Sequence, residues 1–225
     1  MDRPLIVFDM DGVLVDVTES YREAIVRTVA HFTGVTISRA RIQDYKNQGG
    51  FNDDWKLSHH VIAEHGVNVD FQTVVDYFQH LFHGNGTDGL ILRERWIAGA
   101  GLFDRLAARF DFAIFTGRMR WEAEVTLKRF AASLRFDPLV GLEDVTEQKP
   151  APEGLLKIAA AAGDRPIWYV GDTVDDARAA RAAGVPFIGI ASPASPRRAD
   201  LVAVFQAENA AGIIDDINQL ETVLN

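Results

Sequence analysis

The stretch LIVFDMDGVLVD, residues 5–16, decides the fold of this chain. Its first four residues are apolar, and such a run predicts a buried strand. The run ends at Asp9, and Asp11 and Gly12 follow closely. Two like charges at the end of a buried strand are costly, because burial disfavours the ionised form of a carboxyl group. A bound cation or a chemical role for the carboxylates would explain why both are present.

The composition is that of a globular protein with a well-filled core. Of the 225 residues, 48% are hydrophobic and 24% are charged. The net charge of −9 provides no overall positive field for nucleic acid or an anionic membrane, and we expect neither as a partner. Anionic small molecules are not excluded, because a metal ion and a few local cations can reverse the sign within one pocket. The absence of cysteine excludes disulfides, thiolate metal sites and cysteine nucleophiles.

No targeting or membrane-spanning segment is visible in the sequence. Met-Asp-Arg-Pro at the start is followed by only four apolar residues before Asp9, which does not match a signal peptide. No window approaches the roughly 18 consecutive apolar residues that a membrane helix needs. We therefore expect a soluble, cytoplasmic protein with no membrane partner, and the oligomeric state is not predicted.

Strand and helix patterns alternate along most of the chain. Short apolar runs that end in polar or glycine residues predict strands covered on both faces, as in a parallel sheet. Helical patterns lie between these runs, and two of them end at Gly163 and Gly184, as C-caps. The alternation predicts an α/β fold, a Rossmann-like, doubly wound and mainly parallel sheet. The strand runs are LIVFD (5–9), FAIFTG (112–117), IWYVGD (167–172), PFIGI (186–190) and, more weakly, GIID (212–215).

Residues 17–90 contain no convincing strand pattern. Glycine or asparagine separates four helical segments in this part of the chain. We therefore predict a helical domain of residues 17–90, inserted into an α/β core made of residues 1–16 and 91–225. The four segments are SYREAIVRTVAHF, SRARIQDYK, NDDWKLSHHVIAEHG and DFQTVVDYFQHLF.

Polar side chains follow the predicted core strands at the point where each strand ends. In an open α/β sheet, ligands bind outside the carboxyl ends of the strands. The joint occurrence of these polar side chains at the strand ends predicts one site. These residues are Asp9 and Asp11 after the first strand, Thr116, Gly117 and Arg118 after the second, Lys149 before a helix, and Asp172, Asp175 and Asp176 after IWYVG.

This set of residue types suits phosphoryl transfer. Massed carboxylates would repel one another without a cation, and Mg²⁺ accepts oxygen ligands such as Asp9 and Asp172. A carboxylate can also attack phosphorus and form an aspartyl phosphate. Lys149 would screen the nucleophile from the incoming anion, and Asp11 could protonate the leaving oxygen. Thr116 would donate to a phosphoryl oxygen, helped by the amide of Gly117 at a helix start.

In this order, the residues resemble the haloacid dehalogenase superfamily. Four motifs carry the resemblance, and they extend over the whole predicted core. The helical insert after the first motif is similar to the C1-type cap of the phosphoglycolate phosphatase and β-phosphoglucomutase branch. The motifs are DMDGVLVD (9–16), FTGR (115–118), KPAP (149–152) and GDTVDD (171–176).

The resemblance implies a role for each matching residue. It makes Asp9 the nucleophile and an Mg²⁺ ligand. Asp11 becomes the general acid and base and contributes its backbone carbonyl to the metal. Asp172 is implied as a further Mg²⁺ ligand. Thr116 and Gly117 would bind phosphate and Lys149 would neutralise charge. Asp176 would stand behind the ligands or, as in some members, contact the metal directly, and Asp175 is not expected to contact it.

The same resemblance leaves more than one reaction open. Dehalogenases of the superfamily lack an aspartate equivalent to Asp11, so its presence favours phosphoryl transfer. We therefore predict a Mg²⁺-dependent phosphatase acting on a small phosphorylated metabolite, with a phosphomutase as the alternative. From a different class, a receiver-like or other non-catalytic phospho-ligand-binding module is the further alternative.

The most unusual stretch of the insert is DYKNQGGFNDDW, residues 44–55. Asn52 is expected as the N-cap of a helix, with Asp53 and Asp54 in its first turn. As a substrate-contacting edge, the stretch would offer Lys46 to an anionic group, Asn52 to a hydroxyl or amine, and Trp55 to an apolar face. The two acidic residues would then favour an amine-bearing substrate over a dicarboxylate.

Two arginines, Arg22 and Arg118, are further candidates for substrate contact. Each is expected, alternatively, as a surface ion-pair partner. Phosphoglycolate, sugar phosphates, nucleotides and amino-alcohol phosphates such as histidinol phosphate all fit these features, and the sequence does not rank them.

Overall fold

The computed structural model describes residues 3–224, which form two compact units. One unit comprises Met1–Val15 and Trp96–Asn225, and the other comprises Asp16–Arg95. The boundaries expected from the sequence lie one and five residues from these positions. Within residues 3–224, no helix combines the length and apolar character needed to cross a membrane.

The first unit contains a six-stranded parallel sheet. The strands of the protein, in chain order, are β1 (Leu5–Phe8), β2 (Val15–Asp16), β3 (Arg95–Trp96), β4 (Asp111–Phe115), β5 (Phe136–Val140), β6 (Ile167–Gly171), β7 (Phe187–Ile190) and β8 (Gly212–Ile214). The order in the large sheet is β5-β4-β1-β6-β7-β8, while β2 and β3 form a separate pair. The chain winds outward from β1 in one direction and then returns to β6 on its other side. Such a switch of direction places a ligand site at the carboxyl ends of the strands.

Strand β1 lies in the middle of the sheet, between β4 and β6. Leu5 is paired with Asp111 on one side and with Ile167 on the other. All four residues of β1 are fully buried. This burial on both faces explains why LIVF is a continuous apolar run rather than an alternating one.

The described part of the first unit also contains five α-helices. Gly184 follows α8 in the left-handed conformation, which glycine adopts without steric cost, so the predicted C-cap is confirmed there. The N–H of Gly163, after α7, donates to the carbonyl of Ala159 and closes that helix as well. The helices are α5 (Leu102–Ala107), α6 (Arg120–Phe130), α7 (Glu153–Ala162), α8 (Val174–Ala183) and α9 (Arg198–Ala207).

One strand of the sheet has no counterpart among the predicted runs. Strand β5 has the sequence FDPLV, in which Asp137 and Pro138 interrupt the apolar pattern. Proline lacks the N–H that a central strand must donate, so it argues against a strand in a sequence reading. The strand is nevertheless formed because it lies at the edge of the sheet, where only one neighbour requires hydrogen bonds.

The second unit is the predicted helical insert, consistent with a C1-type cap. Its helices are α1 (Tyr21–Thr33), α2 (Arg39–Gln48), α3 (Asp54–Glu64) and α4 (Phe71–His83). Helix α1 contacts the other three helices, and aromatic side chains of α1 and α4, Tyr21, Phe78 and Phe82, pack together in its interior.

The prediction for the start of α3 is wrong by one residue. The N-cap is Asp53, not Asn52, and its Oδ1 accepts hydrogen bonds from the amides of Trp55 and Lys56 at 2.9 and 3.1 Å. A carboxylate at this position accepts the exposed amides and also carries the negative charge that a helix N-terminus favours. Asp53 is therefore a structural residue of the insert.

Candidate active site

The centre of the site is Lys149, whose ammonium group is enclosed. Its Nζ lies 3.0 Å from Oδ1 of Asp9 and 2.7 Å from Oδ1 of Asp176. It also donates to the hydroxyl of Tyr169 at 3.1 Å and to the carbonyl of Phe115 at 3.4 Å. The side chain of Lys149 is 1% exposed, so these contacts replace its hydration. We call Asp9, Lys149, Tyr169 and Asp176 the Lys149 cluster.

Asp9 reaches this position because β1 ends immediately before it. Its own amide donates to the carbonyl of Val170 on β6, which continues the sheet pairing by one residue. Burial raises the pKa of the Asp9 carboxyl to about 7, Lys149 opposes that rise, and the charges of Asp176 and Asp11 add to it. The carboxyl is therefore poised between its two protonation states near neutral pH.

Asp176 is held by hydrogen bonds on both carboxylate oxygens. Oδ1 accepts from Lys149 and from the Tyr169 hydroxyl, at 2.7 and 2.6 Å. Oδ2 accepts from the amides of Asp172 and Thr173 and from the Thr173 hydroxyl. Thr173 is the N-cap of α8 and Asp176 is the third helical residue, so the pair forms a capping box.

These contacts determine the charge states of the buried pair. Burial would raise the pKa of Asp176, but the charge and hydrogen bond of Lys149 outweigh burial and lower it. Burial would likewise lower the pKa of Lys149, whereas Asp176 and Asp9 raise it. Lys149 is therefore a permanent cation at the end of the sheet, and Asp176 is its permanent counter-ion.

A group of three carboxylates could hold a metal ion. One oxygen each from Asp9, Asp172 and Asp176 lies within 4.8 Å of the others. Since five donors already occupy the oxygens of Asp176, Asp9 and Asp172 are the better ligands. Gly12 makes room for Asp172: it has φ of +75°, and a Cβ atom there would lie 2.0 Å from Oδ2 of Asp172. Any side chain at this glycine would displace the carboxylate.

The donor set fits a hard divalent cation. It consists of carboxylate oxygens alone, which are the ligands of Mg²⁺ and Ca²⁺ rather than of softer metals. A cation would also offset the burial of Asp9 and hold that carboxyl ionised. The cluster is typical of the metal site of haloacid dehalogenase-like proteins.

Thr116 and Gly117 follow β4 at the same end of the sheet. The amide of Thr116 donates to the carbonyl of Val140, and its Oγ1 accepts from the amide of Arg118 at 3.2 Å. The prediction that Gly117 lies at a helix start is wrong, because α6 begins at Arg120 with Met119 as its N-cap. The side chain of Glu122 closes that helix end instead, because its Oε2 accepts a hydrogen bond from the amide of Met119 at 3.2 Å.

Arg118 is buried rather than at the surface. Its Nε and Nη2 lie 2.7 and 2.5 Å from Oδ1 of Asp11, and its Nη1 donates to the Thr126 hydroxyl at 2.9 Å. The guanidinium is 1% exposed and enclosed by these partners. The expectation of a surface ion pair is therefore wrong, and the buried contact orients Asp11. A contact of Arg118 with substrate stays a prediction.

Asp175 lies in the first turn of α8 and is buried. Among the residues that the structure describes, it is outside the group of carboxylates that could share an ion. Its support of the site from behind the metal ligands stays a prediction.

The candidate residues of the insert have partners of their own. Lys46 lies 2.6 Å from Asp54, and their side chains are 10% and 11% exposed, so the lysine expected to receive an anion is neutralised inside the fold. Asn52 lies in the loop before α3, and Trp55 is half-buried in its first turn. Nη2 of Arg22 donates to Oε1 of Gln43 at 3.3 Å.

Tyr169 was not among the predicted site residues. It lies on β6, is fully buried, and its hydroxyl joins Asp176 and Lys149. A signal was present in the sequence, because a tyrosine in a buried strand needs a hydrogen-bond partner for its hydroxyl. Only the fold identifies that partner.

A haloacid dehalogenase-like hydrolase family model matches residues 6–190. A phosphoglycolate phosphatase of Cereibacter sphaeroides is 26% identical over 185 residues, covering 82% of this chain and 83% of that protein. An imidazoleglycerol-phosphate dehydratase of Phytophthora nicotianae is 35% identical over 198 residues. The match covers 84% of this chain but 43% of that longer protein.

Solved structures agree with the family match. A haloacid dehalogenase-like protein of unknown function from Agrobacterium tumefaciens is similar with a TM-score of 0.74 and 22% identity, covering 98% of this chain and 97% of that one. The phosphatase Tt82 from Thermococcus thioreducens has a TM-score of 0.63 and 25% identity, covering 91% and 99%. With the acidic cluster at the end of a parallel sheet, these findings show that the chain belongs to the haloacid dehalogenase-like hydrolases.

Proposed function

We propose that the protein is a Mg²⁺-dependent phosphatase that hydrolyses a small phosphomonoester through an aspartyl phosphate on Asp9. One observation carries the proposal. The Asp9 carboxylate is buried beside Lys149 and near Asp172, while every oxygen of Asp176 already accepts hydrogen bonds. Asp9 is therefore the carboxylate that can exchange its present contact for a phosphoryl group, and the neighbouring Lys149 offsets the negative charge there.

The first half-reaction transfers the phosphoryl group to Asp9. A carboxylate oxygen of Asp9 forms a bond to phosphorus, the bond to the ester oxygen breaks, and Asp11 gives its proton to the leaving alcohol. In the second half-reaction a water molecule attacks phosphorus, Asp11 takes the proton of that water, and the bond to Asp9 breaks. Inorganic phosphate leaves and both carboxyl groups return to their starting states.

Charge neutralisation is the main contribution of the other residues. Lys149 offsets the charge of Asp9 and of the phosphoryl oxygens, and Thr116 with the amide of Gly117 supplies hydrogen bonds to those oxygens. Asp9, Asp172 and the backbone carbonyl of Asp11 would hold Mg²⁺. When bound, the ion supplies positive charge against the phosphoryl group and keeps Asp9 ionised.

The proton-transfer role of Asp11 is compatible with its contact to Arg118. Both contacts from the guanidinium use Oδ1. We therefore assign Oδ2 as the oxygen that exchanges a proton with the leaving group. The buried guanidinium would limit the rotation of the carboxyl group, so Arg118 acts as a positioning residue for this step.

The substrate class is a small phosphorylated metabolite. Phosphoglycolate is one candidate, because a relative with 26% identity is named for its hydrolysis. An imidazole-bearing phosphomonoester such as histidinol phosphate is a second. It is supported by the 35% identity with part of a longer protein that is named as acting on imidazoleglycerol phosphate.

A phosphatase screen over a panel of phosphomonoesters, with Mg²⁺ present and with EDTA, tests the proposal. We expect phosphate release from p-nitrophenyl phosphate and from a subset of the panel, dependent on Mg²⁺. Absence of metal-dependent release from every compound would overturn the proposal in favour of a binding module. Conversion of a sugar phosphate into its isomer without phosphate release would identify the phosphomutase alternative.

A further inference from the structure

The ammonium group of Lys149 lies over two aromatic rings as well as between two carboxylates. Its Nζ is 5.0 Å from the ring centroid of Phe115 and 5.8 Å from that of Tyr169. The two ring centroids are 6.0 Å apart, and both side chains are buried. A cation within about 6 Å of a ring face is attracted to it, most strongly where water is excluded. Phe115 and Tyr169, which we call the aromatic pair, therefore stabilise the ammonium group at this place.

The aromatic pair comes from the two strands that flank β1. Val7 on β1 is paired with Ala113 on β4 and with Tyr169 on β6. Phe115 lies two residues beyond Ala113, so the alternation of side chains along a strand puts it on the same face of the sheet. Asp9 lies two residues beyond Val7 in the same way. The two rings therefore stand on either side of the path by which the chain reaches Asp9.

The two carboxylates alone would not fix the position of the ammonium group. Lysine carries a point charge on a flexible chain, so its direction depends on its surroundings. Nζ is 2.7 Å from Asp176 and 3.0 Å from Asp9, and a further shift towards Asp176 would take the cation away from Asp9. The hydroxyl of Tyr169 opposes that shift, because it donates to the same Oδ1 of Asp176 at 2.6 Å and accepts from Nζ at 3.1 Å.

Gly154 in α7 leaves the space that the ring of Phe115 occupies. A Cβ atom at Gly154 would lie 2.1 Å from Cε2 of Phe115 and 2.6 Å from two further ring carbons. Gly154 is part of a regular helix, so the ring rather than the backbone conformation excludes a side chain there. Lys149 precedes this helix in the chain. The segment that supplies the ammonium group therefore also supplies the surface against which Phe115 packs.

We propose that the aromatic pair positions the Lys149 ammonium group for the transfer of the phosphoryl group to Asp9. The inference rests on the proposed function and extends it to two side chains that act through Lys149. When the phosphoryl group is transferred, the charge of the Asp9 carboxylate passes to the phosphoryl oxygens, and its attraction for the ammonium group weakens. The rings do not change their charge at this step. They therefore keep the cation in place through both half-reactions.

Fluorinated phenylalanines in place of Phe115 test the role of the ring face. Each added fluorine withdraws electron density from the face, which loses attraction for a cation while the side chain keeps nearly the same shape. We expect kcat for p-nitrophenyl phosphate to fall stepwise through the monofluoro, difluoro and trifluoro derivatives, by about tenfold in total. KM should stay within about twofold of the wild type, since the ring acts through Lys149 and not on substrate binding.

The same derivatives in place of Phe112 are the matched control. Phe112 is buried on the same strand and packs against the rings of Phe8 and Phe103, at centroid distances of 5.8 and 5.3 Å. It lies three residues before Phe115 and thus on the opposite face of the sheet, so kcat should be constant along its series. A constant kcat along the Phe115 series, or an equal trend in both series, overturns the proposal.

Gly154→Ala moves the same ring from the side of α7. The added methyl group collides with Phe115, so kcat should fall without a matching change in KM. Phe115→Leu should also lower kcat, because the ring face is lost. In the double variant the smaller leucine leaves room for the methyl group, and kcat should be no lower than in Phe115→Leu alone. Effects that multiply in the double variant would show that Gly154 does not act through this ring.

Two substitutions separate the ring of Tyr169 from its hydroxyl. Tyr169→Phe keeps the ring face and removes the hydroxyl, whereas Tyr169→Leu removes both. We expect kcat to fall from the wild type to Tyr169→Phe and again to Tyr169→Leu, with KM within about twofold of the wild type. Equal kcat values for the two variants would remove the ring of Tyr169 from the aromatic pair.

Beryllofluoride binding separates this inference from the proposed function. With Mg²⁺, beryllofluoride adds to an aspartate carboxylate in the geometry of a phosphoryl group, and titration calorimetry measures its affinity. Should the wild type hydrolyse no phosphomonoester, we still expect beryllofluoride to bind, with an affinity that falls stepwise along the Phe115 series and stays constant along the Phe112 series. Equal affinities along the Phe115 series, or no binding to the wild type, contradict the positioning role.

Discussion

The Lys149 cluster and the hydrogen-bonded row of Arg22, Gln43 and Asn47 in the insert are two polar groups with opposite hydrogen-bonding states. In the cluster, two carboxylates, a hydroxyl and a backbone carbonyl surround one ammonium group. In the row, the Arg22 guanidinium and the Asn47 amide each keep a buried donor that has no acceptor among residues 3–224. The ammonium group of the cluster is fully surrounded by acceptors, whereas the row leaves two buried donors unsatisfied.

This difference separates a buried ion that its neighbours depend on from buried donors that lack a partner. A buried ion that is fully surrounded costs a great deal to remove, because its former partners are left uncompensated. A buried donor without a partner costs free energy while it is present, so its removal is tolerated. Stability and activity measurements on matched variants therefore distinguish the two groups.

The largest expected effect is that of Asp9→Asn on turnover. Replacing the nucleophile should lower kcat by at least about 10³-fold. The fold should persist, because Lys149 keeps Asp176 as its counter-ion and the burial of a charged carboxyl is avoided. Phosphate release and the melting temperature measure the two parts. Substantial turnover in a verified Asp9→Asn preparation would remove Asp9 from the proposed mechanism.

Lys149→Met should have the largest effect on stability. It leaves the Asp9 and Asp176 carboxyl groups buried without their cation, and breaking such a pair costs about 3–5 kcal/mol. Urea unfolding measures the loss. Lys157→Met is the control, since its exposed pair with Glu153 on α7 should contribute nothing measurable. Similar unfolding midpoints for the two variants would contradict the central place of Lys149.

Lys46→Met extends the comparison to the insert. Its partner Asp54 is nearly enclosed, so the unfolding free energy should fall by about 2 kcal/mol, between the values for buried and exposed pairs. The double variant Lys46→Met/Asp54→Leu should recover part of the loss, because no unpaired charge remains. A loss in the double variant equal to or larger than that of the single would show that the pair is not the source.

Tyr169→Phe removes one hydroxyl from the complete cluster. The expected cost is about 1–2 kcal/mol in unfolding free energy, because Asp176 loses one hydrogen bond while Lys149 keeps both of its carboxylates. We expect a fall in kcat without a matching rise in KM, since the hydroxyl orients Lys149 rather than contacting substrate. A change confined to KM would place the hydroxyl in substrate binding instead.

The smallest expected effect is that of Arg22→Met on stability. Because the removed guanidinium has an unsatisfied donor and pairs only with neutral Gln43 in the described part of the chain, the unfolding free energy should stay within about 0.5 kcal/mol of the wild type or rise. Urea unfolding of Arg22→Met, Arg27→Met and the wild type in parallel measures it. A loss as large as that of Lys46→Met would show that Arg22 is already satisfied within the folded insert.

Local signals in the sequence predicted most elements of the fold. Five apolar runs became strands of the parallel sheet, and Gly184 closes α8 as expected, because burial on both faces and the left-handed cap are legible from neighbouring residues alone. Strand β5 was not predicted, because Pro138 interrupts the local apolar pattern. A proline is accepted in this strand only because the strand lies at the edge of the sheet.

For the candidate site, the sequence by itself determined which chemical groups stand at the strand ends, since a side chain that ends a parallel strand must lie at that edge of the sheet. The tertiary structure alone decided their partners. Arg118 lies 107 residues from Asp11, and Tyr169 reaches Lys149 from 20 residues away. In the insert, the fold gave Lys46 the carboxylate of Asp54 and gave Arg22 the neutral side chain of Gln43. Pairing depends on distances between remote segments, and those distances exist only after the chain has packed.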